Sequence, residues 1–520
     1  MTDNTPDESQ DVEGFATVQA AQTTMLNTQT IDVEVDILHG LHSFTVVGLA
    51  GKAVEESRDR VSAAIKNAGF GTPKKKNQKI VIALAPADIK KSGPVFDLAI
   101  ALAYLLADEQ ITFDPTGTLF LGELSLDSKL RAVNGVLPLA RHAKAEGFER
   151  IVVPEANKNE AALVSDIDVL PARTLTEVIE HFNGDKEVIT PAEDTDITHK
   201  EPDHTVDFAD VRGNETAKRG LEIAAAGGHN ILLFGPPGTG KTMLARAFTS
   251  ILPPLEFEES LEVTGIHSAA GAIGDELVTH PPFRAPHHTA SYVAVAGGGQ
   301  VPEPGEVTLA HRGVLFLDEF PEFSRRVIEA LRQPLEDKKV RITRSKAKAE
   351  FPANFTLLAA MNPCPCGNYG SEDDNCTCSP QARKRYQRKI SGPIMDRIDM
   401  WIEVAEVDHE KLAEQADGES SETVRDRVKE ALDKQHKRFG DSGITHNSDM
   451  SAKEIEDRID LSEDVQQTLT QSANKLDLSA RAHHKTVKLA RTIADLEGAD
   501  NIQEPHLLEA LQYRSRDSLE

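Results

Sequence analysis

An apolar run, a glycine-rich octapeptide and a helical pattern follow one another directly near the middle of this chain. The apolar run is Ile231–Phe234, and the helical pattern begins at Met243. Between them lie Gly235, Pro236, Pro237, Gly238, Thr239, Gly240, Lys241 and Thr242. A Gly-x-x-x-x-Gly-Lys-Thr segment between a strand and a helix is typical of a phosphate-binding loop. We therefore expect a parallel α/β domain that binds a nucleoside triphosphate.

The residue types in this loop each suit contact with a triphosphate. Glycines allow successive backbone N–H groups to turn toward the phosphates, and the following helix adds its positive N-terminal end. Lys241 is expected to reach the β- and γ-phosphates, and Thr242 is expected to ligate Mg²⁺. The predicted ligands are thus ATP and Mg²⁺.

Two further apolar runs end in polar residues of the kind that such a site needs. Val314–Leu317 is followed by Asp318 and Glu319. We expect Asp318 to bind the water shell of Mg²⁺ and Glu319 to polarise the attacking water. A third run ends at Asn362, whose amide suits sensing the γ-phosphate or holding the water. Open α/β sheets bind ligands at the carboxyl ends of their strands, so all three runs point to one site.

Composition excludes several classes of protein. The chain has 520 residues and a net charge of −27, and its length suggests roughly three domains. A strongly negative chain does not coat polyanions, so any nucleic-acid contact is expected to be local. The N-terminal residues lack the pattern of a signal peptide, and no apolar run is long enough to span a bilayer. We therefore predict a cytoplasmic protein without a membrane partner.

The first part of the chain is predicted to contain a separate α/β domain. Residues 1–14 are acidic and are expected to form a mobile N-terminus. Residues 15–183 alternate strand and helix patterns, beginning with the strand Ile31–Ile37. Residues 184–204 are polar and acidic with almost no apolar periodicity, which indicates a linker.

Several motifs outside the phosphate loop resemble one known family. They are Gly305–Gly313, Leu315–Glu319, Ala360–Gly367 and Ser391–Asp399. Together they resemble the ComM/YifB group of magnesium-chelatase-like AAA+ ATPases, and the resemblance extends over nearly the whole chain from about residue 15. It implies an AAA+ parallel-sheet core at residues 205–407 and a C-terminal helical lid at 408–520.

The same resemblance implies a homo-hexameric ring with ATP between subunits. In such a ring Asn362 is the first sensor, Arg397 is a finger inserted into the neighbouring site, and Arg481 is the second sensor on the lid. A guanidinium group suits both arginine roles because it is planar and permanently charged. The alternatives are a surface ion pair of Arg397 with Asp396 or Asp399 and a solvated helix position for Arg481.

By resemblance, residues 15–183 form a Lon-protease-like domain with the ribosomal S5-like α/β fold. Here the sequence departs from a protease, because Val95 occupies the position of the nucleophilic serine and Leu137 that of the catalytic lysine. Without these groups no acyl-enzyme forms. We expect a structural or binding role, with Ser92 as a shifted nucleophile being the weaker alternative.

All the cysteines of the chain lie close together in sequence. Cys364, Cys366, Cys376 and Cys378 form two Cys-x-Cys pairs. Four thiolates can close a tetrahedral structural Zn²⁺ site, although the one-residue spacing is tighter than usual. Free thiols in a reducing compartment are the alternative.

Two segments concentrate positive charge in this acidic chain. Residues 381–389 include Arg383, Lys384 and Arg385, and residues 338–348 alternate like a β-hairpin. By resemblance to AAA+ helicases, Arg344 and Lys346 at the tip of this hairpin contact DNA in a central pore. A solvated charged face is the alternative for both segments.

The adjacent residues His287 and His288 lie in the long insertion between the phosphate loop and the second strand. They lack the i, i+4 spacing of a helical metal pair, so a loop-packing role is expected.

The leading functional hypothesis is an ATP-driven motor on single-stranded or branched DNA. By resemblance this is a helicase or branch-migration enzyme of recombination during natural transformation. The alternatives are a chelatase subunit that uses ATP to insert Mg²⁺ into a tetrapyrrole, and a protein remodeller. Stimulation of ATP hydrolysis by DNA separates the first hypothesis from the other two.

Overall fold

The computed structural model describes residues 14–24, 27–73, 77–184, 188–193, 206–272, 277–299, 302–344, 347–370, 375–406 and 418–514. The predicted acidic N-terminus therefore lies outside the described residues except for Gly14, and so do Lys346 and most of the predicted linker. The chain divides into two compact units. The first comprises Met1–Thr198 with Leu261–Leu277, and the second comprises His199–Ser260 with Val278–Glu520.

The first unit is built on a mixed seven-stranded sheet with the order β3-β4-β2-β1-β5-β8-β9. A two-stranded ribbon, β6-β7, accompanies it. The long strands β1, β2 and β4 are antiparallel neighbours, whereas β5, β8 and β9 run parallel. The strands are β1 Phe15–Thr24, β2 Asn27–His39, β3 Ser43–Val47, β4 Gln78–Ala85, β5 Thr118–Phe120, β6 Glu123–Leu124, β7 Leu130–Arg131, β8 Arg150–Pro154 and β9 Asp168–Ala172.

Five helices of the first unit pack with this sheet. They are α1 Lys52–Asn67, α2 Asp97–Ala107, α3 Val136–Ala145, α4 Lys158–Ala161 and α5 Leu175–Asn183. The helix α2 is apolar on every side and almost wholly buried, as expected for a helix in the centre of a domain. The helix α1 ends before Gly69, which has a φ of +90° that favours glycine.

The segment Leu261–Leu277 belongs to the first unit, although the sequence analysis placed it within the ATPase core. The reason is packing, because Leu261 is buried in the hydrophobic core of the first unit. The hydroxyl of Ser268 also accepts a hydrogen bond of 3.0 Å from the backbone N–H of Gly135 and donates one to the carboxylate of Glu160. The part of the helix α8, Phe257–Ala269, that begins at Leu261 is therefore assigned to the first unit.

The second unit contains a parallel five-stranded sheet with the order β11-β12-β15-β10-β16 and a separate antiparallel hairpin, β13-β14. Its strands are β10 Ile231–Phe234, β11 Phe283–Arg284, β12 Val314–Leu317, β13 Lys339–Arg344, β14 Ala347–Pro352, β15 Thr356–Met361 and β16 Met400–Glu403. Alternate residues of β10 and β15 enter two different hydrophobic cores. Burial on both faces explains why these strands read as continuous apolar runs.

Helices cover both faces of this sheet. Those of the ATPase part are α6 Glu215–Gly227, α7 Lys241–Ser250, α9 Tyr292–Ala296, α10 Glu306–Leu309, α11 Arg325–Ala330, α12 Arg332–Asp337, α13 Pro380–Gln387 and α14 Gly392–Met395. The C-terminal helices are α15 Ser421–Phe439, α16 Ala452–Arg458, α17 Glu463–Lys475, α18 Ala480–Leu496 and α19 Glu504–Gln512. The C-terminal helices share one hydrophobic core with α6 and with one face of the sheet.

Among the described helices, none combines the length and the apolar character that a membrane crossing requires.

A buried histidine joins the sheet to the C-terminal helices. His229 follows α6, is 1% exposed, and places Nε2 2.9 Å from the hydroxyl of Thr492 in α18. Burial lowers the pKa of His229 to about 4. The folded protein therefore keeps this imidazole neutral at pH values where an unfolded chain protonates it.

We predict that the second unit loses stability as the pH falls from 7 to 5. In that window the unfolded state binds a proton at His229 and the folded state does not, which costs about 2 kcal/mol. Trp401, the single tryptophan of the chain, lies in β16 and reports denaturant unfolding of this unit by fluorescence. The variant His229→Gln cannot titrate and should show a smaller loss. An equal pH dependence of both proteins would contradict the prediction.

Candidate nucleotide-binding site

The phosphate loop directly connects β10 to α7. Gly238 and Gly240 have φ values of +85° and +89°, so both lie in the left-handed region that favours glycine. Gly235 packs so closely on β16 that a Cβ atom there would lie 2.2 Å from the carbonyl oxygen of Val404. Gly238 and Gly240 therefore allow the backbone conformation of the loop, and Gly235 allows its close packing.

Lys241 begins α7 and lies buried within the loop. Its ammonium donates hydrogen bonds of 2.8 Å and 2.6 Å to the carbonyl oxygens of Gly235 and Pro236. Burial lowers the pKa of Lys241, and the negative charge of Asp318 acts in the opposite direction. A phosphate oxygen is a charged acceptor and binds an ammonium more strongly than a neutral carbonyl does. The lysine thus has the position and charge to bind a β- or γ-phosphate.

Asp318 connects the phosphate loop to the end of β12. Its Oδ2 accepts a hydrogen bond of 2.8 Å from the hydroxyl of Thr242, and its Oδ1 accepts one of 2.9 Å from the backbone N–H of Glu319. A hydroxyl and a carboxylate at this distance form the oxygen donor set that Mg²⁺ prefers. The residues present therefore fit a Mg²⁺ ion held with a triphosphate.

Glu319 is held in an unusual conformation beside Asp318. Its φ of +49° is uncommon for a residue other than glycine, and its carboxylate is half exposed. Strained backbone conformations persist where the surrounding structure enforces them, and they are frequent at functional sites. Here the conformation places the carboxylate next to His288.

His288 is the site residue that the sequence analysis missed. Its Nδ1 lies 3.1 Å from Oε2 of Glu319, and its ring stands edge-on to Phe323. The expected loop-packing role is therefore incomplete, because this imidazole contacts the predicted catalytic carboxylate. The feature that could have identified His288 is its position just after β11, because this strand pairs in parallel with β12. A two-residue strand is too short to recognise from its pattern.

Asn362 follows β15, the strand between β10 and β12. Phe234 is paired with Met361, and the backbone N–H of Gly235 donates to the carbonyl oxygen of Met361. Asn362, the residue after Met361, therefore lies beside the phosphate loop. The ends of three parallel strands bring Gly235, Asp318 and Asn362 to one edge of the sheet.

The two predicted arginines lie at the opposite, amino edge. Asn230, which precedes β10, donates from Nδ2 to the carbonyl oxygen of Arg397 at 3.2 Å. The four residues of β10 separate this edge from the phosphate loop by about 13 Å. Arg481 places Nη1 4.0 Å from Asp396, the residue before Arg397. Both guanidinium groups line the same cavity of about 1070 Å³.

The ion pair of Arg397 differs from the one that the sequence suggested. Its guanidinium pairs with Glu336 and donates to the carbonyl oxygen of Pro393, and its side chain is only 10% exposed. Asp399, one of the two suggested partners, is instead paired with Lys485 at 2.8 Å.

The two basic segments differ in the ion pairs and the exposure of their cationic side chains. In the hairpin β13-β14, Lys339 and Arg341 both pair with Glu350, at 2.6 Å and 2.9 Å. These ion pairs lower the pKa of Glu350 to about 2. Arg344 ends β13 opposite Ala347, at the turn. In α13, Arg383 stacks over the ring of Tyr369, whereas Lys384 and Arg385 are exposed.

The four cysteine sulfur atoms lie within 4.8 Å of one another. The Sγ of Cys364 is 3.3 Å from that of Cys366 and 3.8 Å from that of Cys376, and the last two are 3.7 Å apart. Zinc–sulfur bonds of about 2.3 Å in a tetrahedron require sulfur separations of about 3.8 Å. The backbone N–H of Asn368 lowers the pKa of Cys366 to about 6. The cluster therefore fits a Zn²⁺ ion.

The residues that the sequence analysis compared with the catalytic pair of a Lon-type protease lie in the first unit. Val95 and Leu137 are both buried apolar side chains of the first unit. Ser92 is exposed, and its backbone N–H donates to Oε1 of Gln22. The neighbouring ammonium of Lys91 is buried and donates to the carbonyl oxygen of Pro86.

Models of one protein family match most of the chain. The model described as "Magnesium chelatase, subunit ChlI" matches residues 207–412. The model "Subunit ChlI of Mg-chelatase" matches residues 33–157, and "Magnesium chelatase, subunit ChlI C-terminal" matches residues 418–514.

Relatives are similar along almost their whole length. "Competence protein ComM" of Haemophilus influenzae is 43% identical over 493 residues, which cover 93% of this chain and 94% of the relative. The protein YifB of Salmonella typhimurium is 44% identical over 498 residues, covering 95% and 96% of the two chains. YifB of Escherichia coli is 43% identical over 497 residues, with the same coverage of 95% and 96%.

We predict that His288→Ala lowers kcat for ATP hydrolysis about tenfold, because Glu319 loses the group that orients its carboxylate. The KM for ATP should stay close to that of the wild type, since His288 is paired with Glu319, which is predicted to polarise the attacking water rather than to bind the phosphates. His287→Ala is the comparison variant, because Nδ1 of His287 bonds Thr289 and its loss leaves the imidazole of His288 in place. The two rings lie 4.2 Å apart, so we expect a small loss in this variant and a clearly larger one in His288→Ala. Steady-state kinetics measure both constants. Equal loss in the two variants would contradict the orienting role.

Proposed function

This chain belongs to the ComM/YifB group of magnesium-chelatase-like AAA+ ATPases, and we propose that it couples ATP hydrolysis to movement along DNA. Membership of this family implies an ATPase that uses ATP with Mg²⁺. The proposed substrate of the movement is single-stranded or branched DNA, and the proposed process is recombination of incoming DNA. The observation that carries the proposal is similarity over 93% of the chain to a protein named for competence.

The residues at the carboxyl edge of the parallel sheet have proposed roles in hydrolysis. Lys241 and the backbone N–H groups of the loop bind the phosphates, and Thr242 and Asp318 hold Mg²⁺. Glu319 accepts a proton from the attacking water, which Asn362 helps to orient. Bound Mg²⁺ supplies positive charge that stabilises the transferring phosphoryl group.

We further propose that Arg397 and Arg481 complete the site of a neighbouring subunit. Both arginines are at the edge of the sheet opposite the phosphate loop, so neither is placed to reach the ATP of its own subunit. A subunit with ATP on one edge and arginines on the other associates head to tail, and such contacts form a ring when the rotation between subunits closes. By family resemblance the ring is a hexamer.

The DNA contacts are proposed to be the two basic segments. Lys384 and Arg385 expose their charges on α13, which follows the last cysteine. The hairpin β13-β14 brings Arg344 to its turn. In a chain with a net charge of −27, a local cluster of cations is what permits contact with phosphates.

The test of the proposed function is the ATPase rate with single-stranded DNA, with a branched junction and without DNA. We expect DNA to stimulate hydrolysis by the wild type and strand displacement to accompany it. The variant Arg344→Ala with Lys346→Ala should lose most of this stimulation but keep the basal rate, because phosphate contacts set affinity for DNA. Lys241→Ala should lose hydrolysis in every condition.

Equal rates with and without DNA would contradict a DNA motor. That outcome would favour the alternatives, a chelatase-type ATPase subunit or a protein remodeller. An unchanged DNA response in the Arg344 and Lys346 double variant would indicate that DNA binds outside the hairpin.

The arginine proposal predicts complementation between inactive variants. Arg397→Ala and Arg481→Ala should each lower hydrolysis about a thousandfold, the usual contribution of an arginine finger. Mixing either one with Lys241→Ala should restore turnover, because some interfaces then combine an intact phosphate loop with an intact arginine. Mixing Glu319→Gln with Lys241→Ala is the control and should restore nothing, since both changes damage the same edge. A mixture of Arg481→Ala and Lys241→Ala that stays inactive would contradict a role for Arg481 in the neighbouring site.

A further inference from the structure

The first cysteine of the cluster lies next to the nucleotide site in sequence. Cys364 comes two residues after Asn362 and is fully buried, whereas Cys366 is exposed. The backbone N–H of Gly367 donates a hydrogen bond of 3.0 Å to the carbonyl oxygen of Cys364, which closes a tight turn. We call the described residues 364–370 and 375–378, which contain all four cysteines, the cysteine knuckle.

Gly367 of the cysteine knuckle lies against the phosphate loop. Gly367 is buried and has a φ of +87°. A Cβ atom at this position would lie 2.8 Å from Cδ and 3.0 Å from Cγ of Pro237. The backbone of Gly367 therefore packs directly on the proline ring, which is in the middle of the loop that binds phosphates. No larger residue fits there without displacing one of the two segments.

Several residues of the cysteine knuckle are exposed to solvent. Pro365, Cys366 and Thr377 are exposed, so burial of apolar surface contributes little to its order. The four sulfur atoms lie within 4.8 Å of one another, so one divalent metal ion can bind all of them. Such a metal supplies binding free energy that orders a small loop.

We propose that the cysteine knuckle binds Zn²⁺ and that the bound metal controls ATP affinity, because it holds Gly367 against Pro237. This inference rests on the proposed function only for the identity of the nucleotide site. In this arrangement the metal is structural and all four of its ligands are protein thiolates, so it takes no part in hydrolysis. Loss of the metal releases the knuckle, and the phosphate loop loses the support of Gly367.

The first test uses two glycine variants that leave every cysteine unchanged. Gly367→Ala places a methyl group against Pro237 at a positive φ. Gly370→Ala is the matched control, because Gly370 also has a positive φ, +80°, but a Cβ atom there would meet nothing within 4 Å. We expect Gly367→Ala to bind ATPγS with Mg²⁺ about tenfold more weakly than Gly370→Ala, because only in the first variant does the added methyl group displace the ring of Pro237. A tenfold difference corresponds to about 1.4 kcal/mol. Both variants should retain zinc by elemental analysis.

The second test changes the metal and leaves the sequence intact. The full-length protein as purified should contain one zinc per chain, and removal with a chelator should weaken ATPγS binding. Addition of Zn²⁺ alone should restore it, and Cys376→Ser should bind neither zinc nor ATPγS tightly. Fluorescence of Trp401 and the unfolding midpoint verify that the second unit remains folded in each sample.

Three outcomes would overturn the proposal. They are protein purified without zinc that binds ATPγS as tightly as zinc-loaded protein, chelation without effect on that affinity, and equal affinities of the two glycine variants. Because these measurements contain no DNA, they do not depend on whether DNA stimulates hydrolysis. Zinc-loaded wild type that binds no ATPγS would instead overturn the nucleotide site itself.

Discussion

The parallel register of β10, β12 and β15 is the constraint on which the nucleotide site depends. Leu233 is paired with Ala360, and Leu317 is paired with Ala359, so the strands end within about two residues of one another. Because parallel strands deliver their carboxyl ends to one edge, the residues that follow them meet there without a dedicated binding domain. Slippage by one residue in any of these strands would turn its buried side chains to the other face. Burial on both faces of the sheet therefore also keeps the strand register, and with it the relative positions of the site residues.

The same sheet fixes the separation between the two halves of the proposed intersubunit site. Asn230 holds the amino edge together, since its Oδ1 accepts the backbone N–H of Leu357 while its backbone N–H donates to Asp399. Its amide also holds the carbonyl oxygen of Arg397. The segment that carries the arginine is thus tied to the start of β10, the strand whose other end begins the phosphate loop. A buried strand of four residues therefore connects the two edges directly.

The first unit is predicted to have no catalytic role of its own. Val95 and Leu137, which by resemblance occupy the positions of a protease nucleophile and base, are buried apolar side chains of its core. The nearby backbone of Gly135 binds Ser268, in the segment Leu261–Leu277. That segment lies between the phosphate loop and Asp318 in sequence, yet it packs with the N-terminal fold. The first unit is therefore formed by two separate parts of the chain.

The sequence by itself determined the local parts of this protein. The phosphate loop at residues 235–242 and the acidic end of β12 were predictable because each is a short apolar run followed by residues of distinct chemistry. Only the tertiary structure decided which distant residues meet: the contact of His288 with Glu319, the pairing of Arg397 with Glu336, and the place of Leu261–Leu277. These contacts join segments separated by many residues, and they depend on packing and on a strand of two residues. Hydrophobic periodicity reports which side of an element is buried, but it carries no information about the partner that covers it.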